Sequence, residues 1–436
     1  MTTHLNAPYT DKRVLVIGAG VSGQAATRLL LTLGAHVTVL DENLTKISSA
    51  FKAFLEEKGI ACVGAPLSPE LLVGYDIIVT SPGVPYTRLA RLVAESTALS
   101  AHETLPEIMA ETDLALQFVQ APIIAFTGTS GKTTTVSLTR AMLAAAGKKV
   151  FLGGNIGTPL SDLVLSQEAV DVIILELSSF QLQGCRHLHA HVAGILNLNA
   201  NHLDQHTDME EYTAAKFAIF QNQTEHDLAL ISQELMDEYA KRGGKAPAVI
   251  IPKDTGFQLD FLQGEHNIAN AEAAFFASQP FGVTKAIALE TAKNFKPLAH
   301  RLEYVADVQG VLYVNDSKST TVDSLRVALQ SFDAPVILLA GGKFKGGDLA
   351  SLTPLMRAKV KAIALYGGSR EFFEKAWQGA TLLSWHEQMD DALHWAHAQA
   401  TTGDVVLLSP ATSSYDQFPN YIERGKHFCH LVEGLA

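Results

Sequence analysis

Cysteine is scarce in this chain: Cys62, Cys185 and Cys429 are the only three among 436 residues, and they lie far apart. No CxxC pair forms, which fits reduced thiols in a cytoplasm rather than a disulfide framework. No apolar run approaches the length of a bilayer crossing, so no membrane insertion is expected. The opening Met1-Thr2-Thr3-His4-Leu5-Asn6-Ala7-Pro8 lacks the basic and apolar regions of a signal peptide. Net positive charge is lacking too. The formal charge of −12 argues against a nucleic-acid partner, whose phosphates would be repelled. Internal repeats and low-complexity tracts are absent. What is present, 47% hydrophobic and 18% charged residues, describes an ordinary globular protein. Its length suggests about three domains. A soluble, cytoplasmic, monomeric protein is expected.

The pattern alternates strands and helices. Arg13-Val14-Leu15-Val16-Ile17 reads as a strand, followed by Gly18-Ala19-Gly20-Val21-Ser22-Gly23 and a helix from Gln24 to Leu33. A second strand, His36 to Leu40, ends in Asp41, 18 residues past Gly23. This βαβ unit carries the dinucleotide-type fingerprint. The same geometry serves any ligand with a ribose and two linked phosphates, so a dinucleotide ranks first, a UDP-type ligand second and a bare packing turn third. A linker is expected near residues 112–120. Further strands are expected at Val192–Leu198, Leu312–Val314, Pro335–Ala340, Ala362–Tyr366 and Val405–Leu408, with a helix from Ile268 to Ser278. Strands alternating with helices throughout imply an α/β chain of mostly parallel sheets flanked by helices. Its domains are read as 1–115, 116–296 and 297–436.

The sharpest signal lies in the middle segment. A buried strand, Ile123 to Phe126, runs into Thr127-Gly128-Thr129-Ser130-Gly131-Lys132-Thr133-Thr134 and a helix. Backbone N–H groups of such a turn converge on phosphate oxygens, and the helix dipole favours the same charge. Lys132 would neutralise the β/γ-phosphates and the Thr133 hydroxyl would ligand Mg²⁺. Phe126 stands where the full P-loop pattern asks for glycine, so the string is Gly-x-x-Gly-Lys-Thr. Asp171 to Glu176 is a second buried strand ending in an acid, where a metal-holding carboxylate belongs. ATP handling follows.

Other polar strings carry less. Asn197-Leu198-Asn199-Ala200-Asn201-His202-Leu203-Asp204 follows a buried strand, where open parallel sheets place ligands. Asn267 and Asn270 share one helix face and could read an adenine edge. Arg301, Asp316 and Lys318 could clamp phosphate, ribose and the transferred group. His187, His189 and His191 alternate like a metal ribbon on a strand, but no carboxylate or cysteine partner is expected for them and strand-edge histidines commonly face solvent, so a metal role is rejected.

With these strings in view, the chain resembles the Mur ligases of bacterial peptidoglycan synthesis. The match rests on Gly128 to Thr134, Glu176-Leu177-Ser178-Ser179-Phe180-Gln181-Leu182, His202-Leu203-Asp204, His266-Asn267, His300-Arg301 and Asn315-Asp316-Ser317-Lys318. Ser81-Pro82-Gly83-Val84-Pro85, Gly153-Gly154-Asn155-Ile156-Gly157 and Ser409-Pro410-Ala411 through Tyr415-Asp416-Gln417-Phe418 narrow it to the member that joins D-glutamate to UDP-N-acetylmuramoyl-L-alanine.

The resemblance implies three domains: a Rossmann-like N-terminal one for the UDP substrate, a central P-loop ATPase domain and a Rossmann-like C-terminal one for the amino acid. It also implies ATP and two Mg²⁺ ions. Gly18, Val21, Ser22, Asp41, Ser81, Gly83 and Asn155 would meet the UDP substrate. Gly128, Thr129, Ser130, Gly131, Lys132, Thr133 and Thr134, with Asn270, Arg301 and Asp316, would bind ATP. Thr133, Glu176, His202 and Lys216 would hold metal, with Lys216 carbamylated, and Lys132, His202 and Lys216 would be catalytic. Lys318, Thr320, Lys345, Ser414 and Tyr421 would line the glutamate site. Ser130, Asn201 and Phe344 depart from the commoner residues (Asn, Asp and an acid). A folylpolyglutamate-type or other Mur-type ligase, an NAD(P)-dependent oxidoreductase, or a nucleotide-regulated binding protein without catalysis are the competing readings.

Overall fold

A computed structural model of the chain describes residues 7–81, 84, 86–97, 105–198, 208–252, 256–262, 265–296, 299–332, 334–344 and 346–435. The buried apolar runs become parallel strands, as two-sided burial in α/β layers requires. One sheet comprises β1 (Arg13–Ile17), β2 (His36–Leu40), β3 (Ala61–Val63), β4 (Ile77–Thr80) and β5 (Glu107–Ala110). Its order is β3-β2-β1-β4-β5, parallel throughout. A second comprises β6 (Ile123–Thr127), β7 (Val150–Gly154), β8 (Val172–Glu176), β9 (Val192–Ile195), β10 (Leu228–Ile231) and β11 (Ala248–Ile250). Its order is β11-β10-β9-β6-β8-β7, again parallel.

The third sheet holds β12 (Glu303–Val308), β13 (Val311–Asn315), β14 (Val336–Gly341), β15 (Val360–Tyr366), β16 (Leu382–His386) and β17 (Val405–Leu408). The order is β12-β13-β17-β14-β15-β16, with only β12 antiparallel to its neighbour. Along β14, Val336, Leu338 and Ala340 enter one core while Ile337 and Leu339 enter the other. Both faces of this sheet are therefore covered.

The chain divides into two compact units, residues 1–252 with 270–288 and residues 253–269 with 289–436. Within the first unit, the two sheets share one core: Val14, Val16 and Leu29 belong to the same cluster as Ala125, Leu160 and Leu175. Gly23 shows why the first βα turn needs its third glycine. A Cβ there would come within 1.8 Å of the Gly18 carbonyl, so any side chain would push the helix off the strand.

Three expectations change. Helices begin earlier than propensity suggests, at Val21 and Glu265 rather than Gln24 and Ile268, because turn residues already adopt helical geometry. Residues 112–120 do not form a linker throughout: Glu111–Leu116 is a helix buried at every position. Its acids tolerate burial because Glu111 Oε1 accepts the Ser161 N–H at 2.8 Å and Asp113 Oδ1 accepts the His187 N–H at 2.7 Å. Finally, His187 and His189 lie outside any strand, and each does meet a carboxylate. His187 Nδ1 is 3.0 Å from Asp113, and His189 Nε2 is 2.9 Å from Asp227. His191 Nδ1 accepts the Ile123 N–H, so each ring has its own structural partner.

The buried helix is testable. Leu114→Ala should destabilise the first unit by about 2–5 kcal/mol, the range for emptying a packed leucine site. Urea unfolding checks it; a loss under about 0.5 kcal/mol would mark an exposed linker.

Candidate active site

Open parallel sheets present their ligand crevices at strand C-termini, where neighbouring connections leave in opposite directions. In the first sheet that place lies between β1 and β4. Asp41, at the end of β2, accepts the Ala19 N–H with Oδ2 and the Asn43 N–H with Oδ1, both at 2.8 Å. Its carboxylate thus shapes the glycine turn. The Ser81 hydroxyl donates to the Gly18 carbonyl at 3.4 Å. Val21 is 67% exposed at the start of the helix, a large apolar side chain left open beside this turn. Gly18, Val21, Ser22, Asp41 and Ser81 therefore belong to one neighbourhood of turns. Ser81 also lines a small cavity with Thr80, Glu111, Thr112, Phe180 and Gln181. This cavity brings the end of β4 to the Ser178–Gln181 segment, where Ser178 and Gln181 close a reciprocal helix cap.

In the second sheet β6 is flanked by β8 and β9, so three strand ends meet. The loop Gly128–Gly131 leaves β6 and enters the helix Lys132–Ala145. Thr133 Oγ1 donates to Glu176 Oε2 at 2.7 Å, and Asn155 Nδ2 donates to Glu176 Oε1 at 2.9 Å. Asn197, after β9, accepts the N–H groups of Thr129 and Ser130 on one oxygen at 3.0 and 2.9 Å. Two consecutive loop amides thus already point at one oxygen acceptor, as phosphate binding requires. Lys132 Nζ lies back along the loop, donating to the carbonyls of Gly128 at 2.8 Å and Thr129 at 3.1 Å. Asn270 meets the same helix through Thr135, whose hydroxyl donates to its Oδ1 at 3.2 Å.

Lys216, near the end of the helix Met209–Phe217, is 2% exposed. It donates to the Gly128 carbonyl at 2.9 Å, and its ammonium sits 4.8 Å over the Tyr212 ring. Burial first, and then the nearby Lys132, hold its pKa well below that of a free lysine. Its charged form is thus disfavoured relative to that of a surface lysine.

In the third sheet the ends of β13, β17 and β14 carry the expected residues. Asp316 is buried; Oδ2 accepts the Ser409 hydroxyl at 2.9 Å and Oδ1 accepts the Leu302 N–H at 3.2 Å. Burial pushes its carboxyl up to about 7, against the pull of the Ser409 hydrogen bond and of Arg301. Arg424 is fully buried and ties two loops together. It donates to the Ser317 carbonyl at 2.8 Å and the Thr412 carbonyl at 3.1 Å, which fixes Asp316–Lys318 against the segment bearing Ser414. The Tyr421 carbonyl accepts the Ser317 hydroxyl at 2.8 Å. Lys318, Thr320, Ser414 and Tyr421 thus belong to segments that lie side by side. Phe344 packs its ring 5.4 Å from Phe372, a hydrophobic environment where an acid is commoner.

Gly83, His202 and Lys345 lie outside the described residues, as does Asn201. Sequence reading missed Tyr212 and Arg424 and gave Asn197 no role. Arg424 and Asn197 act through partners remote in the chain, whereas Tyr212 precedes Lys216 by one helical turn, a spacing that sequence alone could have used.

This arrangement defines a P-loop nucleotide-binding enzyme with α/β lobes on either side of its nucleotide lobe in the sequence. Residues 126–251 match the Mur ligase middle domain and residues 300–412 the Mur ligase glutamate ligase domain. Residues 7–101 match the C-terminal domain of alanine dehydrogenase/PNT, the likeness expected of a dinucleotide-type βαβ turn. The UDP-N-acetylmuramoylalanine–D-glutamate ligase of Oleidesulfovibrio alaskensis is 50% identical over 421 residues, 95% of this chain and 92% of that protein. That of Desulfovibrio desulfuricans is 48% identical over 425 residues, 97% and 96% of the two chains. The fold also matches the MurF ligase of Thermotoga maritima, solved in complex with ADP, with a TM-score of 0.59 at 17% identity over 100% of both chains. The chain belongs to the Mur ligases, in the family of UDP-N-acetylmuramoylalanine–D-glutamate ligases.

Asp316 sets a pH dependence. Its carboxyl stays protonated in the fold up to about 7, whereas an unfolded aspartate ionises near ~4. The unfolded chain therefore holds fewer protons in that window, and stability falls as pH rises through it. Asp316→Asn should remove this slope in urea unfolding measured between the two values. Parallel pH profiles for the two proteins would mean the carboxyl is already ionised in the fold.

Proposed function

We propose that the chain is the ATP-dependent amide ligase that adds D-glutamate to UDP-N-acetylmuramoyl-L-alanine in peptidoglycan precursor synthesis. The observation that carries this reading is the shared hydrogen-bond network of P-loop, Glu176 and Asn155, in a chain whose full-length relatives bear that name. The domains proposed are residues 1–115 for the UDP substrate, 116–296 for ATP and 297–436 for glutamate. The enzyme works as a cytoplasmic monomer. Among the described residues no helix is long and apolar enough to cross a membrane.

A carboxylate is a poor acyl donor until one oxygen becomes part of a good leaving group. The alanine carboxylate attacks the γ-phosphorus of ATP; its O–P bond forms as the bond to the ADP oxygen breaks. The glutamate amine then adds to the acyl phosphate carbon, loses its proton and expels phosphate through a tetrahedral intermediate. Bringing two anions together needs cationic and hydrogen-bonding groups aimed at the transferring phosphoryl.

Lys132 and the amides of Thr129 to Thr134 hold the phosphates, Asn270 the adenine, Arg301 a phosphate and Asp316 the ribose. Gly18, Val21, Ser22, Asp41, Ser81 and Gly83 hold the uridine diphosphate, and Asn155 orients the muramoyl part. Lys318, Thr320, Lys345, Ser414 and Tyr421 hold glutamate. The Thr133 hydroxyl and Glu176 carboxylate, 2.7 Å apart, are hard oxygen donors of the kind Mg²⁺ takes. His202 and Lys216 would serve a second ion. Burial favours the neutral form of the Lys216 amine, the form that would add to CO₂, with loss of a proton, to give a carbamate oxygen donor. Bound Mg²⁺ supplies charge neutralisation of the phosphates.

Phosphate release from ATP should require UDP-N-acetylmuramoyl-L-alanine, D-glutamate and Mg²⁺ together, with ADP formed in equal amount. Release no greater than background would overturn the ligase reading. A nicotinamide-dependent absorbance change would instead favour an oxidoreductase built on the first sheet.

A further inference from the structure

The helix Met209–Phe217 has two working sides. Lys216 reaches toward the P-loop, and the next residue, Phe217, faces a cavity of about 480 Å³. That volume lies within the range of small-molecule sites. Its walls are Ala214, Phe217, Phe220, Tyr239, Arg242 and the Gly243–Lys245 turn. The three aromatic rings form one stack of edges, Phe217 to Phe220 at 5.9 Å and Phe220 to Tyr239 at 5.1 Å. Tyr239 is fixed by its hydroxyl, which donates to the Ala246 carbonyl at 2.7 Å. Gly244 lies flat on that ring: a Cβ there would come within 2.2–2.4 Å of it, so a larger residue would push the tyrosine into the cavity.

The lining carries two cations and no acid. Arg242 is already committed. Its guanidinium meets Glu210 and Glu238, each at 2.5 Å, and lies 5.5 Å over the Phe217 ring. Lys245, exposed at the rim, is the ammonium left to meet an incoming ligand. None of the residues proposed above for ATP, the UDP substrate or glutamate lines this space.

We propose that this cavity is a second ligand site, separate from the P-loop, for a small planar acid: one anionic group on a flat apolar body. The body lies against Phe217, Phe220 and Tyr239, and the anion meets Lys245. A ligand seated there bears on the helix that holds Lys216. The proposal does not depend on which ligase reaction the enzyme performs.

The probe is 8-anilinonaphthalene-1-sulfonate, a planar aromatic anion, added to the full chain. Saturable binding of one dye per chain is expected, and saturating ATP with Mg²⁺ should not displace it. Ala214→Trp, at an exposed position of the wall, should abolish that binding by filling the space. Lys245→Ala should weaken it by about fivefold, the scale of a single exposed ion pair. Circular dichroism and phosphate release keep the variants honest as folded enzymes. Absence of saturable binding, displacement by ATP, or wild-type dye affinity in both variants would overturn the proposal.

Discussion

The hydrogen bond from Thr133 to Glu176 is the contact on which the rest of this enzyme depends. It exists because β6 and β8 are parallel neighbours in register, Phe126 opposite Glu176, so that one strand ends in a glycine loop as the other ends in a carboxylate. Neither residue could be placed by its own segment. Parallel pairing within one buried sheet fixes the separation, and Asn155 at the end of β7 completes it from the other side of β8. The same sheet puts Asn197 beside the loop amides from β9. A site of this kind is a property of strand order.

Burial then sets the chemistry of individual groups. Lys216 and Asp316 are both enclosed, and each is shifted toward its neutral form, the lysine downward and the aspartate upward. In the first unit, the acids of the Glu111–Leu116 helix are kept in the interior by backbone N–H donors from Ser161 and His187. That helix connects the end of β5 to the start of β6 as part of a common core. The sheet bearing Asp41 and Ser81 and the sheet bearing the P-loop are thereby packed as one body.

Much of this was legible from residues alone, for a physical reason. The P-loop, the glycine turn after β1 and the acid ending β8 are local devices whose spacing is dictated by phosphate geometry and strand length. What escaped notice depends on distant partners. Arg424 reaches Ser317 across 107 positions, and no local pattern announces a buried arginine at one turn of a helix. The histidine string looked unaccompanied because Asp113 and Asp227 lie 74 and 38 positions from the rings they meet. The linker expected near residues 112–120 is partly a buried helix, because Asp113 finds its donor in His187, 74 positions away. Edge strands such as β12, antiparallel and only partly buried, gave too weak an alternation to be noticed.

We propose that Thr133 and Glu176 together form the seat through which magnesium strengthens nucleotide binding. Calorimetric titration of ADP into wild-type and Glu176→Gln protein, with and without Mg²⁺, tests it most directly. Mg²⁺ should tighten ADP binding in the wild type, the variant should lose this gain, and metal-free affinity should stay nearly unchanged. An equal gain in both proteins would contradict it.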